Sequence, residues 1–183
     1  MHKLNFTDLS IRPFHLLDQQ WALLVGGSAR PNPMTVSWGG FGTLWNRPLV
    51  TVYVRPTRFT FGLLDAHPEF TLNFLPETHR PALELCGTAS GRDTDKWKAT
   101  GLEPVASERI AVPRVAGADL SFECRVLSTI DIDPERFLDP AIEHLYPGHD
   151  YHRAFLGEVL AVWRAESPSR DSRHVPEAAG PPP

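Results

Sequence analysis

The sequence predicts a mainly β protein, a β-barrel with short helices. Three observations carry that expectation. Apolar segments rich in β-branched and aromatic residues recur between turn residues, and the clearest, Leu49–Arg55, alternates with a period of two. The 18 prolines cut the chain into pieces too short for long helices. About six or seven strands with hairpin-type connections around one core suit an antiparallel barrel with helical insertions.

Taken in order, Phe14–Asp18 reads as a turn. Trp21–Gly27 is a buried strand ending at glycines. Pro31-Asn32-Pro33 is expected to be a loop, because prolines block regular pairing. Met34–Trp38 is strand-like, and Gly39-Gly40 breaks it. After Leu49–Arg55, Pro56-Thr57 starts a helix with Thr57 as N-cap and Phe59, Leu63 and Leu64 at helical spacing. Glu69–Leu75 is the next strand, and Glu77–Leu85 reads as helical with Pro81 in its first turn. A further short helix is expected to be capped by Asp93 and closed by Gly101. Leu102–Val115 is extended and proline-punctuated. Asp119–Ser128 alternates, with Leu120, Phe122, Cys124 and Val126 on one face and Ser121, Glu123 and Arg125 on the other. Asp131-Ile132-Asp133 is a polar turn, and Phe155–Trp163 is the final strand. Residues 1–165 read as one domain, and the Ser-, Arg-, Pro- and Ala-rich residues from Glu166 on as a disordered tail.

Composition excludes several classes of function. A net charge of −4 with interspersed signs, and no basic block, argue against nucleic acid as a partner. No apolar run approaches membrane-spanning length, and Met1–Phe6 lacks the apolar region of a signal peptide. Two cysteines, Cys86 and Cys124, fit a reducing cytoplasm and form no metal-ligand spacing. His144, His149 and His152 make no helical pair and lack a completing cysteine or carboxylate, so no metal is expected. There is no Gly-x-Gly-x-x-Gly after a strand, no P-loop lysine motif and no Gly-x-Ser-x-Gly elbow.

Five stretches carry chemistry. Cys86–Trp97 leaves an apolar run, turns at Gly87 and Gly91, and gathers Ser90, Arg92 and Lys96 at a helix start, which suits an anion such as phosphate. A capped surface turn would look the same. Arg55–Thr60 sets Arg58 and Thr60 in a first helical turn, a second phosphate-type site. Thr35 and Ser37 share a strand face and could bond a polar heterocycle, or could simply meet solvent. Asn73, an amide inside an apolar strand, needs partners that a ligand or the strand ladder can supply. Tyr146–Arg153 offers an aromatic and histidine rim over a flat ligand, or a polar surface loop.

These segments, Asn32–Trp38, Val54–Thr60, Phe70–Phe74, Cys86–Lys96 and Asp150–Val159, resemble in order and spacing the flavin reductase-like family, in its flavoredoxin branch of FMN-binding split barrels. The resemblance implies a six-stranded split barrel that dimerises, with FMN near the subunit interface. It implies that Thr35, Ser37 and Trp38 line the flavin ring, with Asn32, Met34 and Val36 of the same segment among the flavin-binding residues. It puts Arg55, Arg58, Thr60, Ser90, Gly91 and Lys96 on the phosphate side, Asn73 and Cys86 near the ring or ribityl chain, and His152 near the ring or nicotinamide as the catalytic candidate. The implied function is reduction of FMN at N5 by NADH or NADPH, with electrons passed to an oxygenase, another protein, oxygen or free flavin. The alternatives are an electron carrier, an FMN-dependent enzyme with its own small organic substrate, and a ligand-binding module that has lost flavin.

Overall fold

The computed structural model describes residues 1–166. The expected disordered tail starts at Glu166, and its residues from 167 on lie outside the described residues. In chain order the elements are β1 (His2–Leu4), β2 (Ala22–Gly26), β3 (Asn32–Val36), β4 (Gly39–Leu44), β5 (Arg47–Val54), α1 (Phe59–Ala66), β6 (Glu69–Phe74), α2 (Arg80–Thr88), α3 (Lys96–Thr100), β7 (Pro104–Val105), β8 (Arg114–Val115), β9 (Leu120–Asp131) and β10 (Arg153–Arg164). The main sheet runs β3-β2-β6-β9-β10-β5-β4, with β1 added on β10. All its pairings are antiparallel. β7 and β8 form a separate pair.

Connectivity forces the sheet to close. The edge strands β3 and β4 lie at opposite ends of the sheet, yet only Ser37 and Trp38 separate them in the chain. That link spans about 11 Å at most, so the sheet curls until its edges approach. No ladder joins β3 to β4, and the barrel stays split there. Its interior is filled by alternate residues of the strands, among them Leu24, Val50, Val52, Phe70, Phe122 and Phe155. β2 is buried on both faces, because Leu23 and Val25 pack outward against Leu83 and Cys86 of α2 and against Val112 and Val115. With the interior full, a ligand has to lie outside the barrel wall.

The structure corrects several sequence expectations. The turn at Phe14–Asp18 is a π-helical turn, His15–Gln20. Asn32 and Pro33 belong to β3 rather than a loop; β3 is an edge strand, where a sheet tolerates a residue without an N–H. Gly39-Gly40 begins β4 instead of ending a strand, and Trp45 and Asn46, at φ 53° and 56°, supply the left-handed pair of a tight hairpin into β5. Arg58, not Thr57, occupies the N-cap position of α1. Asp95, not Asp93, caps α3, accepting the Lys98 N–H, and Gly101 closes that helix at φ 70° as expected. The second face of β9 is covered at its start: Glu123 is fully buried, accepts the backbone N–H groups of Glu108 and Arg109, and stands 3.1 Å from Arg114 Nε, off the hydrogen-bonding direction.

Candidate functional site

A groove follows the outside of β5, made of neighbouring hollows that share lining residues. At one end is a small hollow of about 130 Å³ between β3, the start of α1 and the turn before α3. It brings together Arg58, Thr60, Ser90, Gly91 and Lys96 of the expected phosphate side, without Arg55, and adds Asn32 and Met34. Next lies a hollow of about 380 Å³ between Tyr53, Arg55, Arg58, Asp150 and His152. A third, about 260 Å³, adds Val36, Ser37 and Trp38 around His152. The groove ends in a more apolar hollow of about 570 Å³ walled by Phe14, Leu17, Trp38, Phe41, Tyr53 and Ile132. A separate hollow of about 580 Å³, at the Arg164 end of β10, holds none of the expected residues.

The small hollow gathers groups whose chemistry suits an anion. α2 ends with unpaired carbonyls, as every helix does. Lys96 Nζ donates to the Cys86 carbonyl at 2.8 Å, and Arg58 donates to the Gly87 carbonyl. Each cation spends one donor there, and both line the hollow. Lys96 is only 3% exposed, and no carboxylate forms an ion pair with it or with Arg58 among the described residues. Burial pulls the Lys96 pKa down, outweighing the opposing pull of Cys86, and the Arg58 charge adds to the lowering. The nearby Cys86 thiol is pushed up to about 11 by burial, against the pull of Lys96, so it is protonated near pH 7. Thr60 accepts a hydrogen bond from Asn32 Nδ2 at 2.8 Å, which fixes the hydroxyl and amide in the wall. Gly91 brings the backbone close: a Cβ there would stand 2.0 Å from Asn32 Oδ1 and 2.7 Å from Phe59 Cδ1. A buried, unneutralised cation pair beside a close backbone turn fits the phosphate of a flavin mononucleotide. The adjoining hollows, polar first and then flanked by Trp38, fit a ribityl chain and a flat ring.

Around the middle of the groove the chemistry is set by Arg55, Asp150 and His152. Arg55 is set apart from the phosphate-type hollow, contrary to expectation. It pairs with Asp150, donates to the Leu145 carbonyl at 2.9 Å, and lies 4.9 Å over the Tyr146 ring. Burial works to raise the Asp150 carboxyl, but hydrogen bonds from Arg55 and Thr57 outweigh it and hold the group below its usual range. His152 is 8% exposed, bonds Tyr146 Oη through Nδ1 at 2.9 Å, and lies 4.9 Å from the Trp38 ring. Burial, with Arg55 adding to it, lowers its pKa to about 4, so the imidazole is neutral near pH 7.

Three expected flavin contacts are placed elsewhere. Thr35 donates its hydroxyl to the Leu83 carbonyl and faces α2, because successive side chains of β3 alternate between barrel and helix. Asn73 is fully buried and satisfied within the fold: its amide donates to the Leu23 carbonyl and Thr71 Oγ1 and accepts from the Val115 N–H. Cys86 turns its thiol into the core beneath α2, and only its carbonyl reaches the site, through Lys96. Tyr53 and Asp150 were missed. Tyr53 is two residues before Arg55 on an alternating strand, so its place on the same face was readable. Asp150 lies 95 residues from Arg55 in sequence, and no local pattern joins them.

Known proteins share this architecture. The flavoredoxin of Desulfovibrio vulgaris (Miyazaki F) superposes with a TM-score of 0.65 at 23% identity, over 82% of this chain and 72% of that one. The FMN-binding protein of Thermus thermophilus, solved with bound p-hydroxybenzaldehyde, gives 0.61 at 28% identity, over 79% and 70%. The NADH:FAD oxidoreductase SgcE6 of Streptomyces globisporus C-1027, in complex with NAD and FAD fragments, gives 0.62 at 23% identity, over 80% and 74%. Among sequence relatives, the chain spans 72% of an uncharacterised Archaeoglobus fulgidus protein at 25% identity and 42% of a Deinococcus radiodurans protein at 29%. Residues 19–176 match the family model described as flavin reductase like domain, and the chain belongs to that family.

Proposed function

We propose that this chain binds FMN along the β5 groove and works as an NAD(P)H-dependent flavin reductase that hands electrons to a separate acceptor. One observation carries the reading: Lys96, a buried ammonium, shares a phosphate-sized hollow with Arg58, and among the described residues no carboxylate pairs with either. Burying a charge is costly unless a partner meets it, and the partner that fits is a flavin phosphate. When bound, the flavin supplies the hydride and electron chemistry, so the chain needs no nucleophile of its own. Lys96, Arg58 and the Gly91 turn hold the phosphate. Trp38 and Ser37 flank the ring position, and His152 offers a neutral imidazole beside it. The NADH:FAD oxidoreductase among the structural neighbours supports a nicotinamide nucleotide as donor. A homodimer is supported by Phe14, 88% exposed, and Trp38, 43% exposed, at the apolar end of the groove, a surface a second copy would cover. Two buried, unpaired thiols support a cytoplasmic location.

A second reading has its own support. The apolar hollow beside Trp38 could receive a small planar organic substrate, and the Thermus relative was solved with p-hydroxybenzaldehyde. Visible absorption separates the two. A yellow protein that bleaches when NADH or NADPH is added without oxygen is the expected result. A yellow protein that bleaches only with dithionite favours the second reading. A colourless protein that also ignores added FMN overturns the flavin site.

A further inference from the structure

The flavin reading leaves Tyr146 without a task, although its hydroxyl meets His152 directly. We infer that Tyr146 is a positioning residue: its hydroxyl donates to His152 Nδ1 and fixes the imidazole as the tautomer protonated on Nε2. His152 thereby presents a neutral N–H donor to a carbonyl oxygen or unprotonated ring nitrogen of a planar ligand in the groove.

The argument is one of donors and acceptors. Tyr146 is 3% exposed, and its hydroxyl proton must find an acceptor, because a buried unpaired donor is costly. Among the described residues its one side-chain partner is His152 Nδ1, at 2.9 Å, and the His152 backbone N–H, also a donor, leaves Nδ1 as the acceptor for the hydroxyl proton. If Nδ1 carried the proton, the hydroxyl could only accept, and its own proton would be stranded. With Nδ1 accepting, the proton of a neutral imidazole sits on Nε2. His152 lines both middle hollows, so that is the ring nitrogen left for a ligand.

Packing locks the arrangement. The Tyr146 ring lies between the Arg55 guanidinium, 4.9 Å away, and the Phe137 ring, stacked at 6.2 Å. It meets the imidazole edge-on at 5.5 Å, and Trp38 lies 4.9 Å from the same imidazole. Charge agrees with geometry. The charged groups acting on His152 are Arg55 and Arg58 against the single carboxylate of Asp150, a balance that disfavours the imidazolium. A neutral donor held in place strengthens as its acceptor gains negative charge, which is what a reduction delivers.

The inference rests on the proposed flavin function only for the ligand's identity; the tautomer is a property of the chain itself. Long-range 1H–15N spectra of the purified protein, with the His152 ring assigned by its loss in His152→Gln, are expected to show an unprotonated Nδ1 and a protonated Nε2. In Tyr146→Phe the two nitrogens should move towards a tautomer mixture. The kcat for NAD(P)H-driven flavin reduction should then fall about three- to tenfold with flavin KM little changed, the weight of one neutral hydrogen bond. A wild-type ring protonated on Nδ1, or a nitrogen pattern unaltered in Tyr146→Phe, overturns the inference, and the wild-type spectrum decides even if the variant does not fold. If the nitrogens behave as expected but the wild type oxidises neither NADH nor NADPH, the reductase reading fails and the positioning stands.

Discussion

Lys96 is a cation kept where the fold alone gains little from it. Burial lowers its pKa, so the folded chain pays to hold it charged. Replacing it with a similar apolar volume removes that cost. Lys96→Met removes that cost but strands the buried Cys86 carbonyl, so the stability of the flavin-free protein is expected to change little by chemical denaturation. The same change should weaken FMN binding about ten- to a hundredfold, the weight of a charged hydrogen bond, and leave riboflavin binding nearly unaltered. Equal losses for both flavins would remove the phosphate from the reading. His152 makes a pH prediction. Its folded pKa of about 4 lies below the usual 6.5, so between those values the unfolded chain takes up a proton that the folded chain refuses. The contribution of the neutral ring is complete above pH 6.5 and is lost as pH falls towards 4. The melting temperature should drop over that interval more steeply in the wild type than in His152→Gln, and parallel curves would refute the shift.

At the scale of elements, the β-ladders and the site compete for the same polar groups, and the ladders take Asn73. That amide ties β6 to β2 and to the Val115 N–H of β8, which holds the extended segment before β9 against the sheet. Asn73→Ala leaves buried backbone groups without partners and should cost about 1–3 kcal/mol in urea denaturation. FMN affinity, measured on the folded protein, should be unchanged; a selective loss of affinity would restore Asn73 to the flavin site. α2 and α3 act differently. Each is short, yet together they aim the Cys86 and Gly87 carbonyls and the Lys96 side chain at one point. The short turn between them, Ala89–Asp95, carries Ser90 and Gly91 into the wall of the hollow.

The whole molecule is a curled sheet with a full interior and its chemistry on the outer wall. The two-residue link from β3 to β4 makes the curl obligatory and places Ser37 and Trp38 at the split. Trp38 and Phe14 there remain open to solvent in one chain. Light scattering coupled to gel filtration should give twice the chain mass of 20.4 kDa, and Trp38→Ser with Phe14→Ser should shift the protein towards monomer. A wild-type monomer at micromolar concentration would refute the dimer.

Much of this was legible in one dimension. Strand alternation in Leu49–Arg55, the glycine and hydroxyl turn before Lys96 and the closing Gly101 are local patterns, set by backbone sterics and side-chain period. They sufficed for a mainly β fold, and Arg58, Thr60, Ser90, Gly91 and Lys96, singled out in two separate stretches, line one hollow. Glycine-rich β4 and the Asn32-Pro33 start of β3 escaped, because their pairing comes from sheet closure rather than propensity. The fates of Thr35, Arg55 and Asn73 were decided only by folding. Each polar group bonds the nearest partner that burial leaves it, and those partners, Leu83, Asp150 and Val115, lie far along the chain, where no periodicity reaches.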